Sequence, residues 1–211
     1  MAKKTPATGR LRPLAVGLSL LVLLSGSFPA EAYTVTYKEQ FYRLFRMHLQ
    51  RTPENYVENI YWLQQAVKAD FANPLHAIGR VRDEVEWEKY RYLFMMHLNI
   101  KLVEQHLALA AMWGRQEAFF YNAPWKEQNL ESLEIAEATF RAATGYWEAA
   151  LEWAELAGQR RLRFVDLPGV QFWADSAARI QSGDLDYART IRRELEHIER
   201  MREQFRAMGP N

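Results

Sequence analysis

The sequence predicts an all-α protein built of antiparallel long-helix hairpins, either stacked as an α-solenoid or gathered into a helical bundle. Three observations carry this expectation. Apolar residues recur at spacings of three and four. Capping residues, prolines and glycines bound the apolar stretches where helices should start and stop. No stretch alternates β-branched residues between hairpin turns, so no strands are expected. The chain has 211 residues, 49% of them apolar, enough for one domain of ordinary size.

The first 32 residues form an address. Lys3, Lys4, Arg10 and Arg12 precede the apolar run LAVGLSLLVLL at 14–24, and Ala30-Glu31-Ala32 follows. That order predicts a secretory signal peptide over 1–32, cut before Tyr33, and a single helical domain over 33–211. A helix needs about 20 apolar residues to span a bilayer, and Gly26 and Pro29 interrupt any extension of this run. A soluble periplasmic product without a membrane anchor is therefore expected.

The domain is punctuated helix by helix. Thr36-x-x-Glu39 has the capping-box pattern and predicts a helix over 37–50. Thr52-Pro53, an N-cap before a proline, predicts a second over 53–69. Asn73-Pro74 repeats the device for a short third segment. A long amphipathic stretch covers 84–113, with Gly114 placed to stop it, and another covers 125–157, closed by Gly158. On this second stretch Ala136, Phe140, Ala143, Trp147, Ala150 and Ala154 alternate small and large on one face, a pattern suited to close helix stacking. Leu167-Pro168-Gly169 precedes a helix over 170–181. After Gly183-Asp184 a final helix covers 185–208, with Ala188, Ile191, Leu195, Ile198, Met201, Phe205 and Met208 in one apolar stripe. Pairs such as Glu196/Arg200 add only about 0.2–0.5 kcal/mol each, so this helix should be stable only when docked. A faint echo of LFRMHL (44–49) in LFMMHL (93–98) suggests a helical hairpin used twice.

Composition and motifs exclude most chemistry. The chain has no Cys, hence no disulfide, thiolate metal site, covalent haem or lipidated N-terminal Cys. Beyond residue 32, 23 Lys and Arg face 25 Asp and Glu, a net charge of −2, which gives no overall bias toward nucleic acid or anionic membrane. Nucleophile elbow, phosphate loop and dinucleotide fingerprint are all missing. His48 and His97 sit in apolar helical context, as bonded core or boundary histidines do. Glu194/His197 is one Glu-x-x-His pair where a di-iron bundle needs two. Glu84, Glu86 and Glu88 suit a charged first helical turn better than a carboxylate pair for sugar chemistry. No enzymatic activity, cofactor or metal is expected.

Two segments stand out as candidate partner-binding surfaces. The aromatic run ending Tyr121-Asn122-Ala123-Pro124-Trp125 crosses a predicted helix break, as a buried elbow or as a recognition edge. Arg160, Arg161 and Arg163 form a basic patch past a helix end, as a solvated cap on the helix dipole or as a contact for an acidic partner. Candidate residues are thus Tyr121, Asn122, Pro124, Trp125, Arg160, Arg161 and Arg163.

In YWLQQAVKAD (61–70), the spacing of Leu63, Ala66 and Asp70 resembles the second helix of a tetratricopeptide repeat, and Asn73-Pro74 opens the next segment. The repeat period of about 34 residues does not hold, so the likeness is to a degenerate member. Segments YWLQQAVKADFANPL (61–75), EWEKYRYLFMMHLNIKLVE (86–104), FFYNAPWKEQNLESLEIAE (119–137) and GDLDY (183–187) resemble small exported helical proteins of spirochaetes. Tetratricopeptide-like proteins of that kind build the periplasmic collar around the flagellar motor. The resemblance implies a scaffold linking motor, collar and stator parts, with envelope proteins as partners, and it offers no catalytic residues to carry over. The alternative from another class is a periplasmic ligand-binding domain that holds a glycan, peptide or lipid fragment in an aromatic-lined groove.

Overall fold

In the computed structural model, which describes residues 34–114 and 125–207, every regular element is helical. The described residues form α1 (Lys38–Arg51), α2 (Tyr56–Lys68), a 3-10 turn (Pro74–His76), α3 (Glu84–Trp113), α4 (Lys126–Ala157), α5 (Gln171–Gln181) and α6 (Tyr187–Ala207). Among them no strand occurs, and Tyr37 and Asp70 make an isolated parallel bridge. The expected signal segment 1–32, residues 119–124 and the Gly209-Pro210 stop lie outside the described residues.

Where the group that satisfies a helix end lies beside it in sequence, the predicted boundaries hold. Asp83 Oδ1 accepts from Glu86 N at 2.8 Å and opens α3. Gly114 N donates to Ala110 O at 2.9 Å, and Gly158 N to Ala154 O at 3.0 Å, closing α3 and α4 where expected. Gly183 supplies the positive φ of 79° that the α5–α6 turn requires.

Three starts differ from expectation. The box between Thr36 and Glu39 does not form: Gln40 Oε1 accepts from Thr36 N at 2.8 Å and Tyr37 N at 3.0 Å. Glu39 points inward instead, 1% exposed, and accepts from Ala72 N at 2.9 Å and Tyr90 Oη at 3.3 Å. Thr52 does not cap α2. Its N–H still closes α1 onto His48 O at 2.8 Å, so Asn55 takes the cap and accepts from Glu58 N at 3.3 Å. The last helix starts at Tyr187 rather than 185, because Asp186 Oδ1 accepts from Arg189 N at 3.2 Å.

The helices pair antiparallel in succession. Lys38 at the head of α1 donates to Ala66 O and Val67 O at the foot of α2. His48 at the other end of α1 donates from Nδ1 to Asn59 Oδ1 at 3.0 Å. Between α3 and α4, Ser132 Oγ donates to Trp113 O at 2.6 Å, and Tyr92 packs on Trp153 with centroids 5.9 Å apart. α6 returns along α4, tied by Tyr187 against Trp147 at 5.4 Å and by Arg202 with Glu137. The predicted small/large face of α4 is buried throughout, from Ala136 to Ala154. On α6, Ile191, Ile198, Met201 and Phe205 are buried, while Ala188 and Leu195 pack half-buried beside them.

α3 departs most from its expected amphipathic form, because all eight residues over 93–100 are buried. A helix apolar on every side belongs inside, and here α1, α2, α4 and α5 each cover part of it. Trp173 of α5 is fully buried, stacked 5.1 Å from Phe94 and 5.1 Å from His97. Polar α3 residues find partners: Asn99 Nδ2 donates to Met95 O at 2.8 Å, and Gln105 Oε1 accepts from Asn59 Nδ2 at 3.0 Å. The echo does not hold as a duplicated hairpin, since its first copy turns from α1 into α2 and its second lies in the unbroken α3.

Phe94→Ala, at the centre of this packing, should lose about 3–5 kcal/mol of unfolding free energy. Leu75→Ala, at a side chain 88% exposed, should stay within about 0.5 kcal/mol. Urea unfolding followed by far-UV circular dichroism measures both.

Candidate functional site

Where α2 and α4 part above α3, an apolar groove of about 590 Å³ opens. On α2, Val57, Tyr61 and Gln64 follow at spacings of four and three, so they share one helix face. On α4, Ile135, Ala138, Thr139 and Ala142 do the same, and Ile60, His106 and Leu109 make the floor. Val57 is 66% exposed, Tyr61 50% and Ile135 38%. Isolated exposed apolar residues are ordinary on a surface, but these converge on one concavity.

Three of the polar side chains in the groove are already engaged. His106 Nδ1 donates to Leu102 O at 2.7 Å, and its ring lies 4.9 Å from that of Tyr146. Burial holds its pKa below the usual histidine value. Gln64 Nε2 donates to Tyr146 Oη at 2.9 Å, and Thr139 Oγ1 returns to Ile135 O at 2.7 Å within its helix. No Asp, Glu, Lys or Arg lines the groove, while Glu54, Glu131 and Glu134 stand exposed on the two walls' helices and turns. His106 and Thr139 each bond a carbonyl of their own helix, and the two do not form a nucleophile–base pair. What it can do is remove apolar surface from water.

The candidates drawn from sequence fall elsewhere. Tyr121, Asn122 and Pro124 lie outside the described residues, and Trp125, half exposed, is the residue just before α4. Arg160, Arg161 and Arg163 follow its far end, about 48 Å away at 1.5 Å per residue, so the two segments do not form one surface. Arg161 makes a two-pronged pair with Glu88 of α3. Arg163 lies over Phe164, 5.8 Å from its ring centroid, and with the exposed Arg160 lines a separate cavity beside Lys89. The Glu84, Glu86 and Glu88 carboxylates each serve different partners. Glu86 accepts from Arg82, Glu88 from Arg161 and Tyr92, and exposed Glu84 lies 3.8 Å from Arg91. Among the described residues no group of three His, Cys, Asp or Glu could hold a metal ion.

Sequence reasoning missed the groove. The signal that marks it is a second set of apolar residues on α4 that runs alongside the buried face: Ile135 and Ala142 stand next to the buried Ala136 and Ala143, with Ala138 between them.

Fold and groove define an all-α protein of docked helical hairpins with an uncharged interhelical cleft. Residues 85–208 match the family described as a domain of unknown function, DUF8513, and the chain belongs to that family. The matched segment spans α3 to α6. No curated protein and no solved structure matches the chain.

The buried histidines set a pH dependence. Burial first, then the charges of Lys101 and Arg46, holds His97 down to about 3; Tyr42 of α1 faces the same ring, and Arg179 of α5 lines the same cavity. Between the ordinary value of 6.5 and about 3, the unfolded chain takes up a proton that the folded chain refuses. Stability should therefore fall as pH drops through that window, by up to about 1.4 kcal/mol per pH unit from this group. His106 is displaced in the same direction. Glu88, held to about 2 by hydrogen bonds from Arg161 and Tyr92, acts lower: its contribution is present above the ordinary 4.5 and is lost between there and 2. Urea unfolding at pH 7.5, 6 and 5 should show a shallower acid decline for His97→Gln than for the parent chain.

Proposed function

We propose that the chain is an exported periplasmic scaffold that holds envelope proteins together, and that a partner seats an amphipathic helix in the α2/α4 groove. The observation that carries the reading is the convergence of Val57, Tyr61 and Ile135, all exposed, on one uncharged concavity. Both walls are helices whose backbone groups bond within themselves. An extended peptide would find no free main-chain partners there and would bury its own amides unpaired. A helix brings its backbone already satisfied, and laying its apolar face into such a groove is an established recognition mode. The exposed carboxylates of Glu54, Glu131 and Glu134 favour a partner helix flanked by Lys or Arg.

Export is supported by the basic head, short apolar run and Ala-x-Ala ending of residues 1–32. Among the described residues no helix is long and apolar enough to cross a membrane. The resemblance to spirochaete collar proteins supports the flagellar collar as the assembly served, and deletion of the protein should then impair motility.

A photo-crosslinking residue placed at Tyr61 or Ala142 in living cells tests the reading. Mapped crosslinks should fall on a basic-flanked helix of one envelope protein, a flagellar subunit in the collar case. Ala142→Asp should reduce them at least about tenfold, as expected for a charge buried unpaired in an interface, with helical content unchanged. Crosslinks to a second copy of this chain, or none at either position, would refute it.

A further inference from the structure

A further cavity, of about 400 Å³, lies where α1, α3, α5 and the start of α6 meet. It falls in the size range of small-molecule sites, and its lining differs in kind from that of the groove. Ile100, Phe172 and Leu185 give it an apolar wall, and at its base Tyr42 Oη and His97 Nε2 share a hydrogen bond of 2.7 Å. His97 is 4% exposed and lines the cavity, yet its other ring nitrogen makes no hydrogen bond among the described residues.

The charges here are unbalanced. Lys101 pairs with Glu104 at 2.7 Å, and Tyr187 Oη donates to the same carboxylate at 3.1 Å, so that acid is engaged. Arg46 from α1 and Arg179 from α5 also line the cavity, and neither has an ion-pair partner among the described residues. Two guanidinium groups from different helices thus flank one apolar-walled recess, with hydroxyls and an imidazole inside it. Guanidinium is the side chain best matched to two-pronged binding of a carboxylate or phosphate.

We propose that this cavity binds a small organic anion, a carboxylate or phosphate ester with a flat apolar body, its charged group held by Arg46 and Arg179 and its body laid on Phe172. The reading is independent of the docking groove: the only helix that lines both clefts is α3, and no residue lines both.

Calorimetry and thermal shift on the full chain test it, using phenylacetate, phenyl phosphate, inorganic phosphate and the uncharged 2-phenylethanol. Saturable binding of phenylacetate or phenyl phosphate is expected, and the tighter of the two identifies the headgroup. Inorganic phosphate should bind more weakly and 2-phenylethanol not at all. Arg46→Gln and Arg179→Gln, both at exposed side chains, should each weaken binding about tenfold or more, the loss of one charge-assisted contact. Phe172→Ala should weaken the aromatic anions and spare inorganic phosphate. Ala142→Asp in the groove should change nothing here. Failure of both aromatic anions to bind overturns the proposal. So does binding that the arginine substitutions leave unchanged, or inorganic phosphate binding as tightly as the aromatic anions.

Discussion

A helix whose middle turns have no exposed side, as over 93–100 of α3, persists only if its neighbours cover the whole circumference. The polar groups it carries inward need partners too. Asn99 and His106 find theirs one turn back in α3 itself, and others find them on side chains far apart in sequence. Tyr90 Oη donates to Glu39 and accepts from Ile78 N, His97 meets Tyr42, and Gln105 meets Asn59. A buried polar group left unpaired costs roughly 1–3 kcal/mol, so each of these pairs fixes how α1 and α2 sit on α3 as well as stabilising it. With no disulfide available, this packing carries the fold.

The two clefts follow from the same constraint. Cylinders laid around a central helix leave seams where they diverge, and α3 forms the floor of each: Leu109 and His106 under α2 and α4, His97 and Ile100 under α1 and α5. The two histidines lie nine positions apart on one helix, half a turn off a common face at 100° per residue, so they open toward different seams.

Much of this plan was legible in the chain, and what was not has a physical reason. The ends of α3 and α4 could be placed because Gly114 and Gly158 act on the turn next to them. The face of α4 from Ala136 to Ala154 could be placed because burial there follows helical spacing. Glu39 was misread because Ala72 and Tyr90, its partners, come close only after folding, and Thr52 because one residue could close a helix or open the next. Neither cleft could be read. Whether Val57 or Ile135 is covered depends on how far apart two helices lie, and Arg46 and Arg179 meet across 133 positions of sequence. The Arg161–Glu88 pair is hidden for the same reason: a basic cluster in sequence turned out to spend its central member on an internal contact.

The extent of the family match bears on which helices form the folding unit. Residues 85–208 contain α3 to α6 but not the helices that cover α3 on its remaining side. Cut at residue 85, the chain would expose Phe94 and Tyr90 where Phe71 and Tyr42 now pack, with ring centroids 5.4–6.5 Å apart. It would also leave His97 and Gln105 without their partners. An aromatic face open to water in that way is an aggregation liability, so α1 and α2 complete the domain rather than precede it. They also supply one wall of each cleft, Tyr61 and Val57 to the groove and Arg46 to the cavity. Whatever these clefts bind is therefore selected jointly by the segment that defines the family and by the hairpin outside the match.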